Sequence, residues 1–142
     1  MIRPAKAYVA GDAAGAALVL TTPLSFWGGV EAATGRIIDA SHPQRGESVA
    51  GRILVMPSGR GSSSASSVLA EAIRLGTGPC GIVLASPDPI LIVGAIVARS
   101  LYELSCPIVV CPIDGLATGD RLQIEAGAGG EAQLRIVAAV ER

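Results

Sequence analysis

The sequence predicts an α/β fold in which a β layer packs on a central β-α-β-α-β unit, all within one domain spanning residues 1–142. Three observations carry this prediction. Residues 53–56, 81–85 and 107–111 are short apolar runs of strand length. Two helix-length segments with apolar residues at helical spacing separate those runs. The stretches on either side of this middle are rich in alternating apolar residues and turn residues. Strands linked by helices favour a right-handed parallel arrangement.

In chain order, Lys6 to Ala10 and Ala16 to Leu20 read as two strands joined by a loop, Gly11 to Gly15. The segment Thr21 to Val30 follows and holds the sole Trp and the sole Phe, beside a Gly-Gly pair. Such an aromatic is either a plug into the core or the wall of a pocket where backbone approaches a ligand, so Trp27, Gly28 and Gly29 are pocket candidates. Thr34 to Asp39 reads as a turn entering a short strand, and Ser41 to Gly46 as a polar loop. His42 in that loop is either solvated or part of a site; alone, it has no second ligand with which to hold a metal.

The central element runs from Arg52 to Arg74. Ile53 to Met56 form a buried strand, which Pro57 stops because it has no N–H to donate. Gly59 and Gly61 permit a tight turn, serines open a helix, and Val68, Leu69, Ala72 and Ile73 supply its apolar stripe. Gly81 to Ala85 is the second buried strand. Asp88 caps a second helix with Pro89 at its first position, and Ile92, Val93, Ile96, Val97 and Leu101 form its expected packing stripe. Pro107 to Cys111 is the third strand. A turn at Ala117 to Asp120, a strand at Arg121 to Ala126, a hairpin turn at Gly127 to Gly130 and a last strand at Ala132 to Val140 complete the chain.

The chemistry is expected in the central turn. The first turn of a helix has unpaired N–H groups and partial positive charge, which together hold a phosphate or carboxylate. Arg60 adds a full charge and a planar fork of donors. Ser62 lies where a hydroxyl meets a bound substrate, with Gly61, Ser63 and Ser64 around the same anion. A plainer reading is that Ser62, Ser63 or Ser64 merely caps the helix. A P-loop is excluded because no Lys follows Gly61. The nucleophile elbow Gly-x-Ser-x-Gly is absent, and a single His gives a Ser-His-Asp hydrolase little to work with.

Composition sets further bounds. Hydrophobic residues make up 50% and charged residues 16%, against a usual ~25%, so part of the surface is expected to lie against another subunit. The formal net charge of -1 gives no basic footprint for nucleic acid or for an anionic membrane. The most apolar region, Gly81 to Leu101, is interrupted by Ser86-Pro-Asp-Pro89, so no span is expected. Met1 to Lys6 has no apolar run behind it of the kind a signal peptide needs, and a cytoplasmic protein is expected. Cys80, Cys106 and Cys111 are odd in number and lack CxxC spacing; they read as small buried residues, with no metal assigned to this chain.

Taken in order, Pro23-Leu-Ser-Phe-Trp-Gly-Gly29, Thr34-Gly-Arg-Ile-Ile-Asp39, His42-Pro43 and Pro57-Ser-Gly-Arg-Gly-Ser-Ser-Ser64 resemble the small subunit of aconitase X, also called its swivel domain. The likeness continues through Gly94-Ala95 and Leu101-Tyr102 to Thr118-Gly-Asp120. It implies a swivelling β/β/α domain that closes over the active site of a separate large subunit. It also implies that the large subunit carries the iron–sulfur cluster, and that this chain contributes a serine general base, which by motif is Ser62. Family members dehydrate cis-3-hydroxy-L-proline or mevalonate 5-phosphate, and the triple serine with Ser-Phe-Trp-Gly-Gly is more similar to the hydroxyproline type. A phosphomevalonate dehydratase small subunit is the first alternative. A non-catalytic anion-binding regulatory module and an enzyme complete in itself are two more.

Overall fold

The computed structural model describes residues 1–141. Its strands are β1 (Ile2–Val9), β2 (Gly11–Val19), β3 (Val30–Glu31), β4 (Arg36–Ile37), β5 (Ile53–Met56), β6 (Gly81–Leu84), β7 (Ile108–Val110), β8 (Arg121–Ala126) and β9 (Glu131–Ala138), with helices α1 (Ala65–Leu75) and α2 (Pro89–Tyr102). The mixed α/β class is as the sequence predicts; residue 142 of the expected domain lies outside the described residues. β2, β5, β6 and β7 run parallel as the middle of one sheet. The antiparallel strands do not form a separate layer. They continue the same sheet in the order β1-β7-β6-β5-β2-β8-β9, and β9 pairs back onto β1 to close a barrel.

The apolar runs are unbroken because both faces of the parallel strands are buried. In β5, Ile53 and Val55 point into the barrel with Val83, Val109, Leu122, Ile124 and Leu134. Leu54 and Met56 alternate to the outer face, where they meet Leu69, Ile73, Leu91 and Ala95 of the two helices. One strand thus serves two cores. Each such large side chain contributes roughly 1.5–3 kcal/mol by leaving water.

Two sequence expectations are corrected here. The expected loop at Gly11 to Gly15 is strand: Gly11 to Ala16 pair antiparallel with Arg121 to Ala126. Its Gly and Asp read as turn residues, but the ladder to β8 overrides that local preference. Only Ala10 separates β1 from β2, and they pair with different neighbours, so the chain turns a corner there instead of forming a hairpin.

The second correction concerns α2. The side chains it buries are Leu91, Gly94, Ala95 and Ala98, while Val93, Ile96 and Leu101 are exposed and Ile92 and Val97 half-buried. Close packing against α1 is the reason. A Cβ on Gly94 would stand 2.8 Å from the Ser66 carbonyl oxygen, and Ser66 Oγ donates to the Ile90 carbonyl at 2.7 Å. Only small residues fit such an approach, so the larger apolar side chains turn outward. On α1 the expected stripe holds, with Leu69, Ala72 and Ile73 buried and Val68 partly so.

Candidate functional site

The turn between β5 and α1 lies past the carboxyl end of β5, beside that of β6, the end of the parallel strands at which ligands bind in α/β folds, barrels included. Three elements hold it. Pro57 offers its carbonyl to the amides of Ala85 and Ser86, both at 3.1 Å, which ties it to the β6–α2 loop. Leu24 forms a parallel bridge with Gly59, which brings the Pro23–Gly29 stretch alongside. Asp88 caps α2 through Oδ1, which accepts from the Ile90 amide at 2.9 Å. Its other oxygen lies so close to Gly59 that a Cβ there would fall 1.7 Å from Oδ2. The two segments that the sequence marks separately, around Trp27 and around Ser62, therefore meet in space.

Ser62 is exposed, and its Oγ accepts a hydrogen bond from the Ser64 amide at 3.1 Å. Its own hydroxyl proton has no acceptor among the described residues. The amides of Gly61, Ser62 and Ser63 likewise have no partner there, while the Ser62 carbonyl accepts from Ala65 at 3.0 Å. Ser64 occupies the N-cap position with helical angles (φ -63, ψ -17), and its side chain caps nothing. The capping bond that the plainer reading expects is thus made by Ser62. An N–H donated to Oγ also favours a negative charge on that oxygen, so this bond suits both readings. Gly61 has φ +97, and Ser25 Oγ would lie 2.9 Å from a Cβ on it.

Arg60 is exposed, with no ion pair within 4.0 Å among the described residues. The Asp39 carboxyl is held below the usual range first by the Ser41 hydroxyl (2.7 Å), then by the Ser41 amide (2.9 Å), and further by the positive charge of Arg60. His42 is buried, so of its two readings the solvated one does not hold. Its Nδ1 accepts from the Gln44 amide at 3.0 Å, so the ring carries its hydrogen on Nε2, which sits 3.1 Å from Thr22 Oγ1 and 3.3 Å from the Thr22 carbonyl. Nδ1 thus braces the 41–46 loop internally, and Nε2 ties that loop to the start of the Trp27 segment.

Phe26 is fully buried and plugs the core, while Trp27 is 58% exposed. Gly28 is open to solvent, whereas Gly29 is buried under the turn it makes. Ser63 and Ser64 are exposed beside Ser62. Sequence reasoning assigned Asp88 only as a helix cap and missed Asp39 and Ser25 as neighbours of the turn. The usable signal for Asp88 was its position directly after the strand adjacent to β5.

The cysteines do not form a metal site. Cys106 belongs to the core under the helices and Cys111 to the barrel interior. Among the described residues no group of three or more His, Cys, Asp or Glu is arranged to hold a metal ion. Burial pushes all three thiols up, Cys106 to about 12. These thiols do not fit an iron–sulfur cluster, which needs thiolates converging on one point. Native protein at pH 8 is expected to leave Cys106 unmodified by iodoacetamide over hours and to release it on denaturation, as peptide mass spectrometry would read. Rapid native labelling would contradict the burial described.

A cleft of about 530 Å³ lined by Ile2, Pro4, Asp12, Glu125 and Glu131 lies at the opposite end, where β2 begins. It shares no lining residue with the turn. Among the described residues, no helix is long and apolar enough to cross a membrane.

Comparison with known proteins agrees with this fold. The family described as "Aconitase X swivel domain" matches residues 3–132. Cis-3-hydroxy-L-proline dehydratase of Pseudomonas aeruginosa is 48% identical over 103 residues, covering 72% of this chain and 18% of that protein. This chain therefore spans under a fifth of that relative's length. The phosphomevalonate dehydratase small subunit of Methanopyrus kandleri is 40% identical over 114 residues, covering 78% of this chain and 80% of that subunit. The crystal structure of Thermococcus kodakaraensis aconitase X in its holo-form superposes with a TM-score of 0.83 at 32% identity, over 95% of this chain and 98% of that one. The chain belongs to the aconitase X swivel domain family.

Proposed function

We propose that this chain is the small subunit of a two-part aconitase X hydro-lyase that dehydrates cis-3-hydroxy-L-proline to 1-pyrroline-2-carboxylate, with Ser62 as the general base. The observation that carries the reading is the exposed Ser62 hydroxyl at a helix N-terminus, with unpartnered amides around it. A serine hydroxyl is a very weak acid, so its alkoxide needs a positive field. The α1 N-terminus, the Ser64 N–H and the nearby Arg60 supply one of the correct sign.

In this reaction the bond from the α-carbon to its hydrogen breaks and Ser62 takes the proton. The freed electron pair forms the carbon–carbon double bond and expels the 3-hydroxyl, which takes up a proton and leaves as water. The resulting enamine tautomerises to the cyclic imine. Arg60 serves as clamp for the substrate carboxylate, with Gly61, Ser63 and Ser64 lining the same anion, and Trp27, Gly28 and Gly29 form one edge of the pocket. This reading puts the iron–sulfur cluster in the larger subunit, since the thiols of this chain do not fit one.

Dehydration of mevalonate 5-phosphate is the second reading, and a specific observation favours it. The relatives bearing that name are separate small subunits of about this chain's length, whereas the hydroxyproline relatives are much longer chains. The test is to purify the chain with its larger subunit, anaerobically and with iron, and to assay each substrate. Turnover of hydroxyproline alone supports the proposal. Turnover of mevalonate 5-phosphate alone replaces the substrate and leaves the role of Ser62 standing. Inertness toward both, with an active larger subunit alone, favours a regulatory anion-binding module.

A further inference from the structure

The two helices lie side by side on one face of the sheet, yet their outward faces differ. On α1 that face carries the Glu71–Arg74 ion pair, as a solvated helix does. The first ten residues of α2, Pro89 to Ala98, contain no charged residue. Its outward stripe is Pro89, Val93 and Ile96, spaced four and three residues apart, with half-buried Ile92 and Val97 on its flanks. Val93 is 49% exposed and Ile96 48%. A helix that is apolar on all sides is ordinarily covered on all sides.

We propose that the outward face of α2 is the docking surface for the larger subunit, which seats an uncharged apolar groove on Val93 and Ile96. This rests on the two-part enzyme proposed above. Two observations select that occupant over a second copy of this chain. First, the face begins at the catalytic turn, because Asp88 at its N-terminal end packs against Gly59. A body seated on α2 is thereby placed beside Ser62, where the rest of a shared site has to come from. Second, the long hydroxyproline dehydratase relatives carry this domain as 18% of their length. In them a much larger polypeptide is tethered to the matched region, which keeps it close to this surface.

The test measures affinity of the chain for its larger subunit by calorimetry or interferometry. The double variant Val93→Lys/Ile96→Lys is expected to weaken binding by at least about 100-fold, and Val93→Gln/Ile96→Gln, which adds no charge, by about tenfold. Glu71→Lys on α1 is the control and should bind as wild type does. Because the substituted side chains are exposed, circular dichroism and melting of each variant should match wild type. If the wild type binds and both double variants bind equally well, the inference is wrong while the two-part enzyme stands. If the wild type itself does not bind the larger subunit, both fall. If the wild type self-associates and the variants are monomeric with partner affinity unchanged, the face belongs to a homodimer and the proposal is overturned.

Discussion

Ser62→Ala is expected to lower kcat of the reconstituted pair by about 10²–10⁴-fold, the range for losing a positioned general base, with KM nearly unchanged. The difficulty is that Ser62 also accepts the Ser64 amide, so its removal costs a capping bond, typically ~1 kcal/mol. Ser62→Asn separates the two roles. Asparagine offers an oxygen to the same amide but no hydroxyl to ionise. Stability is therefore expected to survive in Ser62→Asn while turnover is lost as fully as in Ser62→Ala. Rates that follow melting temperature across the two variants would show that the serine is a cap and that the proposed chemistry is wrong.

Gly29→Ala is expected to destabilise the domain by about 1–3 kcal/mol, because a Cβ there would stand 2.0 Å from the Ser25 carbonyl oxygen, which is backbone and cannot rotate away. At this chain length that is a fall in Tm of roughly 3–10 °C. The effect should reach the site as well. Moving Ser25 moves the group packed against Gly61, and the turn bearing Ser62 goes with it. Gly28→Ala is the comparison. Gly28 has φ +74 but no atom within 4 Å of a Cβ, so its cost is backbone strain alone, ~1–2 kcal/mol, with no displacement of Ser25. Thermal melts and rates on the two variants check both statements. Equal effects at the two positions would mean that the Ser25 approach does not hold the turn.

The parallel core was legible because its signals are local. Runs such as Ile53 to Met56, Pro57 as a stop and Asp88-Pro89 as a helix start each declare themselves within a few residues. β2 was misjudged where Gly11, Asp12 and Gly15 carry turn chemistry, since its pairing partner, β8, lies more than a hundred residues away. The orientation of α2 was misjudged for a related reason. A stripe of large apolar residues marks the buried face only when the neighbour leaves room for them, and α1 leaves room for Gly94 and Ala98. At the site, Ser62, Arg60 and the Trp27 segment stood out as motifs. Asp39, Ser25 and the Gly59 contact of Asp88 did not, because only the folded chain places them beside the turn.

The closing seam of the barrel bears on how the chain is made. β1 has β7 on one side and β9 on the other, with Ile2 opposite Arg135. A ribosome adding ~5–20 residues per second holds that strand without either neighbour for on the order of ten seconds. A bare strand edge for that long invites pairing with other nascent chains. The sequence of β1 answers this with Arg3, Pro4 and Lys6, two charges and a residue that cannot donate to a ladder. The barrel acquires its last seam only when the final hairpin arrives, so a ribosome stalled before Glu131 releases a chain with two open edges.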